Sequence, residues 1–401
     1  MSGLLPLAEA LERVLSGATP TAEVETRRLI DARGCVLAAD MASTVDVPPA
    51  DNSAMDGYAL SAADATGPLN VSQRIPAGSV PDALQPGTAA RIFTGATVPP
   101  GADVVVMQEN CSEVDGTVTV SGAVTVGDNI RRQGQDIASG DTALRKGRRL
   151  RPQDMGLLAS LGLAEVPVYR PLRVAVLSTG DELVEPGAPL ADESQIYNSN
   201  RYTLAGLISA LGFEFVDGGI VPDDPDATAD ALSNAAANAD CVITSGGVSV
   251  GEEDHVKAQV ERLGRLDLWK LAIKPGKPLA FGRVGQTPFI GLPGNPSSVF
   301  VTFCLVARPF LMRLQGMEDI EAPRLTATAG FEVKRAGSRQ DYLRVSVRPG
   351  PGGLVAERFP NQSSGVLSSV SHSNALAVIP VGTTVAKGDR VDVLLLDLLT
   401  A

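Results

Sequence analysis

The chain of 401 residues carries 34 Lys and Arg against 46 Asp and Glu, a formal charge of −12, with only 4% aromatic residues. A balance this acidic excludes broad nucleic-acid binding, which needs clustered cations to displace counterions, and so few aromatics offer no stacking platform for single strands. The length predicts roughly two to four domains, each with its own core.

Cys35, Cys111, Cys241 and Cys304 are scattered without a CxxC pair, and His255 and His372 are the only histidines. A disulfide framework, a cysteine zinc finger and a histidine-rich metal site are excluded. Leu4, Leu7, Leu11 and Val14 recur at helical spacing among Glu9, Glu12 and Arg13. They predict an amphipathic helix ending near Gly17, not a signal peptide. The longest apolar run, Val299 to Ala307, stops at Arg308 and Pro309 and is too short to cross a bilayer. A cytoplasmic protein with no membrane or nucleic-acid partner is expected.

Charge is uneven along the chain: −2 over 1–40, −7 over 41–137, +3 over 138–170, −9 over 171–321 and +3 over 322–401. Segment 41–137 holds short β-type runs, Ala89–Phe93, Val104–Gln108 and Thr117–Val120, between turn signals, and reads as an inserted β-domain. Around Pro152 a helical pattern returns, with Met155, Leu158 and Leu161 on one stripe and Gly162 after it. Residues 1–40 and 138–170 are therefore expected to form one discontinuous domain.

From 171 the pattern alternates. Strand-like runs lie at Leu172–Leu177, before Val221, at Cys241–Thr244 and at Phe289–Leu292. Helices are expected at about 199–211, 226–239 and from Ser297 or Ser298 to Gln315. Strands alternating with helices predict an open, mainly parallel α/β sheet over 171–321, whose ligands bind at the carboxyl ends of the strands. Residues 322–401 revert to short strands (Leu343–Val347, Ala375–Pro380, Val391–Leu395), a second small β-domain.

Neither a P-loop nor a GxGxxG is present; the chemistry lies in polar turns. Ser178-Thr179-Gly180-Asp181-Glu182 follows one strand. Ser245 to Gly251 follows another, and its Gly246 and Gly247 let backbone N–H groups approach an anion. Asn295-Pro296-Ser297-Ser298 opens a helix, whose dipole favours an oxyanion. Lys270 to Pro278 holds lysines on a stiff Pro-Gly turn, point charges suited to phosphate. Asp56, Asp136, Glu182, Asp223 and Asp254 are turn carboxylates of the kind a Mg²⁺-assisted reaction at a phosphoester needs. His255 and His372 read as surface residues and Trp269 as core.

The strings Asp51 to Ala59, Thr94-Gly95-Ala96, Gly101-Ala102-Asp103, Arg131-Arg132 with Gly134-Gln135-Asp136, Thr179 to Leu183, Ser245 to Gly251 with Asp254, Lys274 to Pro278 and Leu292 to Pro296 occur together in this order. The set resembles the MoeA family of molybdopterin molybdenumtransferases, related to the E domain of gephyrin, from about residue 5 to the C-terminus. The resemblance implies an elongated shape for the discontinuous domain, a molybdopterin-binding α/β domain, a C-terminal β-barrel and a homodimer that shares its active site. It implies cleavage of adenylylated molybdopterin with AMP release and insertion of molybdate at the dithiolene sulfurs. It also allows contact with other enzymes of molybdenum cofactor biosynthesis.

By the same resemblance Asp56, Thr94, Asp136, Glu182, Asp223 and Asp254 are catalytic, and Asp56, Glu182, Asp223 and Asp254 hold Mg²⁺. Lys270, Lys274, Lys277, Pro278, Ser298, Gly246, Gly247, Arg344 and Ser364 bind substrate or molybdate. Two rivals share parts of the pattern. A molybdopterin adenylyltransferase needs neither the Met55-Asp56-Gly57-Tyr58 module nor the C-terminal domain, and a gephyrin-type scaffold needs no complete set of carboxylates and lysines.

Overall fold

A computed structural model describes residues 4–20, 23–247 and 255–400. The first helix, Leu7–Ser16, buries Ala10 and Val14 and gives way to Gly17. Leu5 stays outside it and donates its N–H to the Lys270 carbonyl at 2.8 Å. Strand Val24–Arg28 then pairs antiparallel with Glu165–Tyr169, far along the chain. Leu37, Leu150, Leu158, Val166 and Val168 close a core beside this ribbon.

Between these partners runs a six-stranded sheet in the order Val104–Met107, Gly57–Leu60, Thr88–Ile92, Leu69–Ile75, Thr117–Val120, Cys111–Val114. The inserted segment is thus β-rich, as its turn spacing predicts. It joins the rest through a narrow neck, Met41–Ala42 against Thr142–Leu144 and a bridge between Val47 and Ile137.

The central sheet has the order Glu214–Val221, Arg173–Thr179, Cys241–Ser245, Thr287–Leu292, Pro278–Val284, Gly264–Lys270. The first four strands are parallel; Pro278–Val284 runs opposite to them, and Gly264–Lys270 pairs antiparallel with it and so turns back to their direction. Both faces are covered: Val174 and Val176 pack into one core, Ala175 and Leu177 into the other. That explains the continuous apolar run, since strands buried on two faces do not alternate with polar residues.

The expected helix to Gln315 is interrupted. Pro296–Thr302 and Arg308–Leu314 are joined by a π-helical turn, Phe303–Ala307. Pro309 has no N–H for the Leu305 carbonyl, and the wider turn accommodates its ring. By length and composition the whole Pro296–Leu314 segment would suit a membrane span, yet 89% of its apolar window is buried inside the protein. It is a core helix here.

The C-terminal strands close into a barrel. Gln340–Gly350 is long enough to pair with both Gly353–Arg358 and Ala375–Ile379, and Leu325–Ala329 and Arg390–Leu395 complete the ring.

Asp240 latches the entry to the central sheet. Its carboxylate accepts from Arg170 Nη2 at 3.0 Å and from the Arg173 N–H at 2.7 Å. Burial works against its ionisation, but these bonds prevail and hold its pKa below the usual carboxylate range. A depressed carboxylate stabilises the fold above its unfolded pKa and loses that contribution as pH falls through its folded value. Asp240→Asn should therefore lower stability by about 2–3 kcal/mol at neutral pH. Denaturant titrations of the two proteins should converge only below about pH 4.

Candidate active site

The polar turns of the central sheet meet at the carboxyl ends of its parallel strands. Thr179, Gly180 and Glu182, then Ser245 to Gly247, then Pro293 to Pro296 line one cleft of about 1000 Å³ together with Asp223 and the Lys274 to Pro278 loop. Ser298, Ser364 and Arg339 complete its wall. A strand ends and its helix begins at such places, so main-chain groups and short polar side chains collect there.

Two glycines make the close approach possible. Gly247 has φ 65°, and a Cβ there would sit 2.5 Å from Val256 Cγ2. Gly276 has φ 98°, and a methyl would run into the Thr302 hydroxyl. The lysine loop is fixed at its first two residues. Ile273–Lys274 pairs in parallel with Gln340 and Asp341 of the barrel, and Arg339 Nη1 donates to the Ile273 carbonyl at 3.2 Å. Lys274 Nζ lies 3.2 Å from Asp341 Oδ2.

The second rim is tied to the barrel as well. The Ser297 N–H donates to the Ser364 carbonyl at 3.0 Å, and Ser297 Oγ donates to the Val366 carbonyl at 2.8 Å. The first turn of this helix therefore faces the barrel with one N–H already bonded, and Ser298 lines the cleft.

Asn198 caps helix Ser199–Ala210 through its Oδ1, which accepts from the Arg201 N–H at 3.3 Å. Asn200 Nδ2 donates to the Gly294 carbonyl at 2.7 Å, joining two of the turns. Asn198 Nδ2, Asn200 Oδ1 and Ser245 Oγ are buried and have no hydrogen-bond partner among the described residues. Buried polar atoms are nearly always satisfied, so these three in the wall of a cleft suit a polar ligand.

Glu182 and Asp223 are the carboxylates of the cleft. The Asp223 N–H donates to Asp181 Oδ1 at 3.1 Å and the Asp181 N–H to Asp223 Oδ2 at 3.4 Å, which locks two turns together. Among the described residues no three His, Cys, Asp or Glu side chains gather around a metal position. Two hard oxygen donors still fit Mg²⁺, which fills its shell with water and substrate phosphate. Cys241 and Cys304 offer no thiolate: burial pushes both thiols up, Cys304 to about 12.

Several sequence-derived residues lie elsewhere. Asp56, Thr94 and Asp136 belong to the inserted segment and do not line this cleft. Asp56 Oδ1 accepts from the Thr94 N–H at 2.8 Å and from Thr94 Oγ1 at 2.7 Å, which keeps its pKa below the usual range. Lys270 ends strand Gly264–Lys270 instead of sharing the Pro-Gly turn, and it lies outside the cleft lining. Asp254 and Val248 to Gly251 lie outside the described residues.

Arg344 also departs from its expected place. It is 1% exposed, and its guanidinium donates to Ser369 Oγ at 3.1 Å and to the Tyr342 and Ser363 carbonyls at 3.3 Å. It shapes the segment before Ser364 and is not part of the cleft lining, while Arg339 is. Arg339, Asn198 and Asn200 are the cleft residues that sequence reasoning missed. The Asn198-Ser199-Asn200 string before a helix is the signal that points to the asparagines.

Comparison with known proteins agrees with this architecture. Family models for the MoeA N-terminal region (domain I and II), a probable molybdopterin binding domain and the MoeA C-terminal region (domain IV) match residues 5–162, 175–313 and 326–396. A molybdopterin molybdenumtransferase of Haemophilus influenzae is 43% identical over 346 residues, covering 85% of each chain. One from a Nostoc species is 39% identical, covering 92% of this chain and 87% of its own. The crystal structure of a molybdopterin biosynthesis MoeA protein from Pyrococcus horikoshii superposes with a TM-score of 0.85 at 30% identity, covering 98% of this chain and all of that one. With three family models in chain order and relatives matching along most of its length, the chain belongs to the MoeA family of molybdopterin molybdenumtransferases.

Proposed function

We propose that this chain cleaves adenylylated molybdopterin, releases AMP and delivers molybdate to the dithiolene, working as a Mg²⁺-dependent homodimer. The observation that carries the reading is the convergence of Lys274, Lys277, Arg339 and the glycine turn Gly246-Gly247 on one cleft with Glu182 and Asp223. Pyrophosphate and molybdate are both anions, and bringing them together requires fixed positive charge.

Lys274, Lys277 and Arg339 supply that charge, while Ser245, Asn198 and Ser298 offer hydrogen bonds to oxygen atoms. Glu182 and Asp223 would hold Mg²⁺, which polarises a phosphoryl oxygen when bound. Water oxygen attacks a pyrophosphate phosphorus, the bridging P–O bond breaks, AMP leaves and the other phosphate stays on molybdopterin. Asp56 and Thr94 enter from the inserted sheet of a second copy and Asp136 from its neck, with Asp56 ionised at neutral pH. The cysteines take no part, because the sulfur ligands of molybdenum belong to the substrate.

The protein incubated with adenylylated molybdopterin and Mg²⁺ should release AMP in proportion to added sodium molybdate until saturation. AMP release indifferent to molybdate, or consumption of ATP with release of pyrophosphate, overturns the reading.

A further inference from the structure

A second concavity, of about 960 Å³, opens on the barrel beside the cleft and shares Lys274 and Arg339 with it. Its wall carries six cations, Lys274, Lys334, Arg335, Arg339, Arg358 and Lys387, against the three carboxylates Glu332, Asp341 and Glu357. This excess stands in a chain of formal charge −12. The outer cations are weakly engaged. Lys334 Nζ is 3.6 Å from Glu332 with both side chains largely exposed, and Arg358 Nη1 reaches only the Glu332 carbonyl, at 3.4 Å. Exposed pairs of this kind neutralise little, and the groove keeps a positive field.

Where the groove meets the cleft, Lys274 is paired with Asp341, itself a groove residue. An anion that travels along the groove meets this pair first and competes with the Asp341 carboxylate for the Lys274 ammonium. The pair thus stands between a collecting surface and the reaction site.

We propose that the barrel groove is an entry site that gathers molybdate dianion and passes it to Lys274; the proposal rests on the function given above. A concave wall with an excess of one charge sign, backed by low-dielectric protein, concentrates counter-ions and speeds their capture. Molybdate is small and doubly negative, so field alone suffices to gather it without a shaped pocket. The same chemistry would attract the phosphate of departing AMP, and the two sources are separable.

The test compares wild type, Lys334→Glu/Arg335→Glu/Lys387→Glu and a charge-matched control, Arg33→Glu/Arg145→Glu/Arg262→Glu, whose positions are exposed and outside the groove. The groove variant should raise the half-saturating molybdate concentration about tenfold at low salt, with the maximal rate within about twofold of wild type. Added NaCl should weaken molybdate use by wild type and strengthen it in the groove variant, whose groove charge is reversed from an excess of cations to an excess of carboxylates. Equal shifts in the groove variant and the control overturn the proposal, and so does a change in AMP inhibition without a change in molybdate use. Equilibrium dialysis with sodium molybdate alone reads the groove independently of catalysis. Should wild type show no molybdate response in AMP release, the function is wrong, and dialysis still decides the groove: about tenfold weaker binding by the variant supports it, equal binding refutes it.

Discussion

Lys274→Ala should lower molybdate-dependent AMP release by about 10²- to 10³-fold, the usual effect of removing one preorganised charge from a reacting anion. The side chain is about half exposed and contributes its charge, not packing. What fixes it is main chain: buried Ile273 beneath it, the parallel pairing with Gln340 and Asp341, and the Arg339 bond to the Ile273 carbonyl. None of these is lost in the alanine variant. The ion pair with Asp341 is solvent-facing, so its loss costs at most about 1 kcal/mol. Thermal unfolding should therefore stay close to wild type while the rate collapses. A fall of ten degrees or more in the unfolding temperature would mark Lys274 as structural, and the reading of the cleft would fail with it. Lys274→Arg should recover only part of the rate, because a planar fork does not replace a compact ammonium.

A mixture of Asp56→Ala and Lys274→Ala proteins, each expected to be nearly inactive alone, should regain roughly a quarter of wild-type activity after unfolding and refolding together, as random pairing of two subunit types predicts. The argument is geometric. Lys274 belongs to the cleft, and Asp56, with its Thr94 bonds, sits at the rim of the inserted sheet outside that cleft. If a second copy supplies Asp56, half of the mixed molecules are heterodimers, and each holds one site with both residues intact. AMP release against mixing ratio reads this directly. Activity that stays at the level of the separate variants at every ratio rejects a shared site, and with it the homodimer assigned above.

Much of the central domain is legible in the sequence because strand and helix periods differ and glycine marks the turns. The apolar run Arg173–Thr179 ending in Gly180, or Cys241–Ser245 ending in Gly246, can hardly be anything but a buried strand opening toward a ligand. Direction is not legible. Pro278–Val284 and Gly264–Lys270 have ordinary strand composition, and nothing in their residue types says that they run antiparallel to their neighbours. Lys270 shows this: adjacency to Lys274 in sequence suggests one loop, but Lys270 ends a strand whose antiparallel register sets it opposite Pro278 of the cleft. Arg344 is a different case. An arginine in a strand gives no hint that Ser369 and two carbonyls will take its donors, whereas Arg339, five residues earlier, lies in the cleft wall. Charge type is written in the sequence; which face it occupies is decided by long-range pairing.

The barrel and the central sheet are stitched across both rims of the cleft, through Ile273–Lys274 on one side and Ser297 on the other. Such stitching removes the hinge between them, so the anion-binding half of the site behaves as a single rigid body. The short neck at Met41–Ala42 and Thr142–Leu144 is the contrary case: among the described residues only two-residue and three-residue strands, Asn52–Ser53 with Ile130–Arg131 included, and single bridges lead from it to the inserted sheet. Rotation costs least there. The unit that carries Asp56 is thus the one whose orientation the fold fixes least, while the anion cradle is already set.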